Sequence, residues 1–368
     1  MGEDETTGVA SSTRRLYSPP VSDGPPDPRG PRPRAAGIRI GELEPGRTDS
    51  IADVEEVRVG HVTVWRDEPD PPKGRGVART GITAIAPPAL PLPAGVAVLN
   101  GAGELTGSHE IREWGLLETP VYLTSTHAVG RVYDGAIEVA VRSDPLVGVE
   151  EFVIPVVGEC DDGHLSDART VHVEREDVSR AVEEASGWPF AEGAVGAGTG
   201  MSCLGWKGGI GSASRRAGDH VVGVLLLCNF GSARQLTVAG VPVGRTLAGE
   251  DRAKPAGSCI AVVATDAPVS SASLERIARR AGLGLARTGS VAHHGSGEIF
   301  LAFSTARDAS LEGRDLDPLF AATVEATEEA VLNTLWAAPD VTGREGRVQR
   351  GLPHEETLEI LRTHGALA

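Results

Sequence analysis

The chain has 368 residues, 47 of them glycine and 25 proline, with 40% apolar residues and a formal net charge of −16. Its length and apolar content suffice for one large core. The negative charge argues against nucleic acid and anionic membranes as partners, because the phosphates of both would repel the chain. No apolar run approaches the roughly 20 residues that cross a bilayer. A small molecule or a peptide is therefore the expected partner.

The first 47 residues differ from the rest of the chain. They contain eight prolines, seven acidic and seven basic residues, and almost no apolar periodicity. This composition predicts a disordered or loosely attached arm, whose removal should be tolerated. The folded part should then begin near Thr48 and form a single domain over residues 48–368.

From Thr48 onward, short apolar β-type runs alternate with glycine-rich turns. Strands are predicted at residues 51–65, 81–86, 96–99, 120–124, 152–157, 221–228, 258–265 and 299–304. Helices are predicted at residues 104–117, 177–185 and 270–286, and a long one begins at Asp317-Pro318, a cap and first-turn pair. Several strands are apolar throughout, which is typical of strands covered on both faces. The sequence therefore predicts one layered α/β domain.

Several candidate sites have ordinary interpretations. The glycine-rich run 193–200 lacks the GK[ST] of a phosphate loop, so we interpret it as a tight loop in which the backbone approaches other backbone or a substrate. The ten histidines show no pair at metal-ligand spacing, and Gly295-Ser296-Gly297 only partly resembles a hydrolase nucleophile elbow. The four cysteines form neither a CxxC pair nor a disulfide framework, so we expect reduced, mostly buried thiols in a cytoplasmic protein. We expect no metal and no cofactor.

Ser258 is the more informative residue. It follows Gly257 and is the first residue of a continuous apolar strand, just after the polar segment 249–256. A serine there can attack the preceding carbonyl, and glycine offers no Cβ to resist the strained geometry. Hydrolysis of the resulting ester would make Ser258 a new N-terminus, with its hydroxyl beside an α-amine of pKa roughly 7.7–8.0, which can serve as a base.

The chain resembles the self-processing L-aminopeptidase/D-esterase (DmpA) family, which includes the β-peptidyl aminopeptidases. The resemblance extends from about Thr48 to Pro353, over many segments in the same order. These include Leu99-Asn100-Gly-Ala-Gly-Glu104, Thr126-His127-Ala-Val-Gly130, Val195-Gly-Ala-Gly-Thr-Gly-Met201, Lys207-Gly-Gly-Ile-Gly211, Asn229-Phe-Gly231, Gly257-Ser258 and Gly295-Ser296-Gly297-Glu298. The resemblance implies a layered α-β-β-α sandwich, similar in outline to N-terminal-nucleophile hydrolases but with different connectivity.

The resemblance also implies roles. The chain would cut itself between Gly257 and Ser258, Ser258 would be the nucleophile, and Ser296 with Glu298 would support and orient it. Asn229 matches the side-chain donor of the oxyanion hole, and Glu159 matches the acid that receives the substrate's amino group. On local sequence alone, Ser296 is an ordinary turn residue, Glu298 a solvated strand residue and Asn229 a turn former.

One position departs from the family pattern. His164 stands where several family members have a tyrosine associated with the active site, so the resemblance implies a substrate-binding position at which this chain departs from the family. Asn100, Glu104 and His127 recur in the matching segments, and we interpret them as structural or pocket-lining residues.

The sequence thus predicts a self-processing serine aminopeptidase that acts on short peptides, amides or esters with a free amino group. We expect a homo-oligomer of cleaved two-chain protomers. Two alternatives remain open. One is an acyltransferase of the ornithine acetyltransferase type, although those enzymes use threonine at the cleavage point. The other is an unprocessed, non-enzymatic binding protein.

Overall fold

Two β-sheets stacked face to face, each covered on its outer side by helices, make up most of the described chain, residues 24–249 and 257–367 of a computed structural model. The strands are β1 (Arg58–Asp67), β2 (Val77–Ala86), β3 (Leu92–Gly101), β4 (Leu116–Leu117), β5 (Val121–Ser125), β6 (Val156–Cys160), β7 (Ser202–Cys203), β8 (Trp206–Lys207), β9 (Ile210–Ala217), β10 (His220–Asn229), β11 (Gly257–Thr265), β12 (Ser296–Ser304), β13 (Val341–Thr342) and β14 (Val348–Gln349). The helices are α1 (Ser108–Trp114), α2 (Val129–Ser143), α3 (Arg175–Glu183), α4 (Gly244–Leu247), α5 (Ser271–Arg287), α6 (Asp317–Ala337) and α7 (His354–Thr363).

The smaller sheet has the strand order β1-β2-β5-β6, and the larger has the order β4-β3-β12-β11-β10-β9. Helices α2 and α3 pack on the smaller sheet, while α5 and α6 pack on the larger one. Only the β5–β6 and β11–β12 pairs are parallel within these two sheets. The predicted α-β-β-α sandwich is therefore confirmed.

Strand β11 illustrates why a continuous apolar run folds as a central strand. Ile260, Val262 and Ala264 contribute to the core between the two sheets, and the alternating Ala261 and Val263 contribute to the core beneath α5 and α6. Successive side chains of a strand point to opposite faces, so both faces must be covered to bury such a run. The strand that carries Ser258 is thus held between two apolar layers.

Some elements differ from the predictions. Residues 51–53 form a 3-10 turn, so the first strand begins only at Arg58, and the strand predicted at 152–157 lies at 156–160. Strand β9 and helices α2 and α7 were not predicted. Strand β9 contains serines and arginines, which do not resemble a buried strand, yet Arg215 and Ser212 are both fully buried there through polar partners.

The prediction of a disordered arm over residues 1–47 is wrong for its described part. Ile38 and Ile40 are buried in the core beneath α6, and Arg34 pairs with Glu329 of α6 at 2.6 Å. The apolar pattern here is one alternation around the exposed Arg39, which is too short to register as periodicity. Residues 1–23 lie outside the described residues.

The glycine-rich loop is confirmed as a close approach of backbone to backbone. A Cβ at Gly198 would lie 2.5 Å from the nitrogen of Ile210, and one at Gly200 would lie 2.2 Å from the carbonyl oxygen of Arg79. All four cysteines are free and buried, as predicted. Within residues 24–249 and 257–367, no helix combines the length and apolar character needed to span a membrane.

Candidate active site

Four of the predicted site residues lie at the ends of three neighbouring strands of the larger sheet. Strand β12 runs parallel to β11, so Ser296 pairs with Gly257 at their starts, and Glu298 pairs with Cys259. Strand β10 runs antiparallel to β11, so Asn229 at its end lies directly across from Ser258. The register of these three strands therefore gathers Ser258, Ser296, Glu298 and Asn229 around one point.

Ser258 is buried near the start of β11, and its Oγ accepts a hydrogen bond from the backbone N–H of Gly297 at 3.3 Å. The preceding Gly257 packs tightly against β10. A Cβ at Gly257 would lie 2.0 Å from the carbonyl oxygen of Asn229 and 2.5 Å from the Cα of Phe230. Only glycine fits in that space. The polar segment predicted before Gly257 lies outside the described residues, apart from Gly249.

Ser296 and Glu298 form a buried pair beside the nucleophile candidate. The Ser296 hydroxyl donates to Glu298 Oε1, while Glu298 Oε2 has no hydrogen-bond partner among the described residues. Burial raises the pKa of Glu298, and the bond from Ser296 opposes that rise. The Glu298 carboxylate therefore takes up a proton at a higher pH than an exposed glutamate does.

The Asn229 carboxamide is held at both ends. Its Oδ1 accepts from the backbone N–H of Ser202 at 2.9 Å, and its Nδ2 donates to the carbonyl oxygen of Asp161 at 2.8 Å. A carboxamide nitrogen carries two N–H groups, so one donor remains for another acceptor. An ordered, partly buried donor of this kind can stabilise an oxyanion.

Glu159 lies on the neighbouring sheet, in β6, with its carboxylate almost completely buried. One carboxylate oxygen accepts from the backbone N–H of Glu104 at 2.9 Å, and the other accepts from the Thr126 hydroxyl. Burial raises the pKa of Glu159, and these two bonds oppose the rise. An ionised carboxylate has about four lone-pair positions, so two stay free for a further donor such as an ammonium group.

Gly103 joins Glu159 to the serine. A Cβ at Gly103 would lie 3.1 Å from Glu159 Oε1, 3.3 Å from the Cα of Gly297 and 3.8 Å from Ser258 Oγ. Glu159 and Ser258 therefore face the same small space in front of Gly103. Nothing in the sequence distinguishes this glycine, apart from its place in the segment 99–104 that carries part of the resemblance.

His164 is placed differently from the other predicted residues. It is exposed, its carbonyl oxygen accepts from Arg347 at 3.3 Å, and burial of part of the ring lowers its pKa. Within the described chain, no hydrogen bond or ion pair connects it to Ser258, Asn229 or Glu159. Its role in substrate binding stays a prediction.

Two residues interpreted from the sequence as structural or pocket-lining, Asn100 and Glu104, contact the site, as does Thr126, which the sequence did not single out. Thr126 and the Glu104 backbone hold Glu159, and Asn100 of β3 pairs with Glu298 and donates to the His293 carbonyl at 2.8 Å. Their signal in the sequence was only that they lie in matching segments.

Comparisons with known proteins identify the family of this chain. The model of Peptidase family S58 matches residues 49–349. A β-peptidyl aminopeptidase BapA from Sphingosinicella microcystinivorans is 40% identical over 378 residues, covering 92% of this chain and 94% of that protein.

Two solved structures are also similar. A Burkholderia sp. β-aminopeptidase has 41% identity and a TM-score of 0.82, with 91% of this chain and 99% of that chain covered. The L-aminopeptidase D-Ala-esterase/amidase from Ochrobactrum anthropi has 35% identity and a TM-score of 0.85, with 92% and 100% covered. The latter is described as a prototype for the serine aminopeptidases and a new variant of the Ntn hydrolase fold. The predicted resemblance and fold are thus confirmed, and this chain is a member of peptidase family S58 and a hydrolase of the aminopeptidase class.

Proposed function

We propose that the protein is a self-processing serine aminopeptidase that uses Ser258 as its nucleophile. The observation that carries this proposal is the register of β10, β11 and β12, which places Asn229, Ser296 and Glu298 around Ser258. The relatives named for aminopeptidase activity support the same chemistry. They offer no support for the acyltransferase alternative.

Self-processing begins with attack of Ser258 Oγ on the Gly257 carbonyl. The C–N bond between the two residues breaks, the chain passes through an ester, and water releases the Gly257 carboxyl and a free Ser258 amine. The tight packing of Gly257 on the Asn229 carbonyl supports this step, because it fixes the backbone immediately before the serine. The products are chains of residues 1–257 and 258–368.

Substrate turnover then repeats the same attack on another molecule. The Ser258 amine, or the Ser296 and Glu298 pair, takes the hydroxyl proton and later returns a proton to the leaving amine. Asn229 and neighbouring backbone N–H groups hold the oxyanion, and water hydrolyses the acyl-enzyme. Loss of one such donor typically costs about 10²–10³ in rate.

Glu159 receives the free amino group of the substrate. Its place opposite Ser258 across Gly103 supports this role, because an N-terminal residue bound there would present its carbonyl to the serine. Short peptides, amides and esters with a free amino group are the substrates that this arrangement would accept. The names of two relatives make β-amino-acyl amides the first substrates to test. The name of the Ochrobactrum anthropi relative adds amides of L-amino acids and of D-alanine.

We also propose that cleaved protomers associate into a homo-oligomer in the cytoplasm. A groove between the end of β3 and α5 exposes Leu99, Leu283 and Val291 by 56%, 58% and 64%. Apolar contacts there would overcome the repulsion between acidic copies. Four free cysteines suit a reducing compartment. Light scattering should give a multiple of the protomer mass, and Leu283→Glu should reduce it to one protomer; a monomeric wild-type protein would reject this part.

The proposed activity is tested with purified wild-type protein and the Ser258→Ala and Ser296→Ala variants on an amino-acyl p-nitroanilide. Ser258→Ala should neither cleave itself nor release nitroaniline, and Ser296→Ala should be slower in both. Turnover by a folded Ser258→Ala variant would reject the assignment of the nucleophile.

A further inference from the structure

Lys207 is a fully buried cation close to the site, and the mechanism above does not use it. Its Nζ donates to the carbonyl oxygens of Gly198 at 3.0 Å, Met201 at 2.7 Å and Gly208. No carboxylate pairs with it among the described residues. Burial lowers the pKa of Lys207 to about 7, yet three carbonyls require three N–H donors, which the ammonium has and the neutral amine lacks. The loop is therefore built around a charged lysine.

One of the three carbonyls belongs to a peptide group that reaches the site. The Met201 carbonyl accepts from Lys207, and the N–H of the same peptide, on Ser202, donates to Asn229 Oδ1 at 2.9 Å. The C=O and N–H of a trans peptide point in opposite directions, so this single planar group stands between the ammonium and the carboxamide. Bonds in such a chain polarise one another, by about 10–30% each.

The orientation of Asn229 depends on this peptide. A donor facing Oδ1 fixes which end of the carboxamide is oxygen, and the Asp161 carbonyl fixes one hydrogen of Nδ2. The second hydrogen is then directed by the plane of the group. If the Met201–Ser202 peptide turned, Oδ1 would lose its donor, and only the bond from Nδ2 to the Asp161 carbonyl would hold the carboxamide.

We propose that Lys207 is a positioning residue for the oxyanion site, holding and polarising the Met201–Ser202 peptide so that this peptide orients the Asn229 donor. The inference rests on the role proposed above for Asn229. The proposed effect of Lys207 is on the strength and direction of the Asn229 N–H donor, which stabilises the transition state. Removing the lysine should therefore lower kcat and leave KM nearly unchanged.

The test is a double-mutant cycle between Lys207→Met and Asn229→Ala, with rates referred to cleaved protein measured by intact mass. Lys73→Met is the matched control, because Lys73 is the same residue type in an exposed position. We expect Asn229→Ala to reduce kcat about 10²–10³-fold. Lys207→Met should reduce kcat roughly tenfold or more, with KM changed less than about threefold.

The combined variant decides between positioning and general support of the fold. If Lys207 acts through Asn229, its loss in the Asn229→Ala background should change kcat by less than about threefold. The proposal would be overturned if the two reductions in kcat multiplied in the combined variant. A folded, cleaved Lys207→Met variant with the wild-type kcat would overturn it as well. A folded Lys207→Met variant that stays uncleaved while Asn229→Ala cleaves itself would also overturn it, since Lys207 would then serve processing independently of Asn229.

Two further results keep the outcome clear. A wild-type rate in Asn229→Ala rejects the proposed role of Asn229. Because this single variant keeps Lys207, that failure is distinguishable from a failure of the Lys207 proposal. If Lys207→Met does not fold, Lys207→Gln is used, because its amide still offers a neutral donor to the loop. The proposal is supported if Lys207→Gln gives an intermediate kcat and has no further effect on kcat in the Asn229→Ala background. An unchanged kcat in Lys207→Gln overturns it.

Discussion

Replacing Glu159 by glutamine should weaken recognition of the substrate's amino group without disturbing the fold. The glutamine can keep its oxygen on the Glu104 N–H and turn its amide nitrogen to the Thr126 hydroxyl, which accepts as well as donates. The variant therefore loses the negative charge and retains both existing contacts. A hydrogen bond to a charged group contributes about 1.5–3 kcal/mol, which corresponds to roughly 10- to 150-fold in kcat/KM.

The assay compares a free-amine amino-acyl p-nitroanilide with its N-acetyl derivative in both proteins. Wild-type protein should cleave the free-amine substrate far better, because an acetylated amine cannot make the charge-assisted bond. Glu159→Gln should lose most of that preference and still cleave itself, since processing involves no free amine. Glu104→Gln is the matched control: it removes a neighbouring charge, keeps its backbone N–H and should change kcat/KM by less than about threefold.

The pH dependence follows from the same contact. Burial raises the pKa of Glu159, and only the ionised form attracts an ammonium. The ratio of kcat/KM for the free-amine substrate to kcat/KM for its N-acetyl derivative cancels the titration of the catalytic base. In wild-type protein this ratio should therefore fall with decreasing pH at a higher pH than an ordinary glutamate would give, and the fall should be missing in Glu159→Gln. Equal cleavage of blocked and free substrates would refute the reasoning, and a variant that fails to process would assign Glu159 to the structure.

Three other predictions concern different parts of the molecule. Deleting residues 1–47 should sharply lower the melting temperature or the soluble yield, because burial of Ile38 and Ile40 contributes about 1.5–3 kcal/mol each to the free energy of unfolding. Deleting residues 1–23 should not have this effect, and equal melting curves for the two deletions would contradict the prediction. Gly103→Ala should lower kcat/KM roughly tenfold by crowding Glu159 and Gly297, while Gly101→Ala, whose Cβ would meet only Val98 at 3.6 Å, should match wild type; equal rates for both would contradict it. Turnover should survive EDTA, because the sequence has no metal-ligand spacing; loss restored by a divalent ion would overturn the mechanism.

The central strands and the nucleophile were the most predictable parts. Strands such as β11 are apolar on both faces, and that pattern is typical of a strand covered on both sides. Ser258 was identifiable because the start of such a strand is an unusual place for a Gly-Ser pair. The convergence of Ser296, Glu298 and Asn229 depends on strand register, which the sequence indicated only through the family resemblance.

The remaining features depend on contacts between distant segments. The burial of Ile38 and Ile40 requires α6 to lie beside them, and two isoleucines form no recognisable period. Lys207 resembles a solvated lysine in a glycine-rich loop, because its three acceptors are backbone carbonyls that converge only when the loop closes. Gly103 lies at the candidate site only because Glu159 and Gly297 approach it from two different sheets.

The central claim is that Ser258 cuts the chain before itself and then works as an N-terminal nucleophile. Intact mass and N-terminal sequencing of freshly purified protein test it most directly. The account predicts two associated chains, with the smaller one starting at Ser258, and a single uncut chain for Ser258→Ala. A wild-type chain that stays intact through prolonged incubation and still hydrolyses substrate would contradict the account.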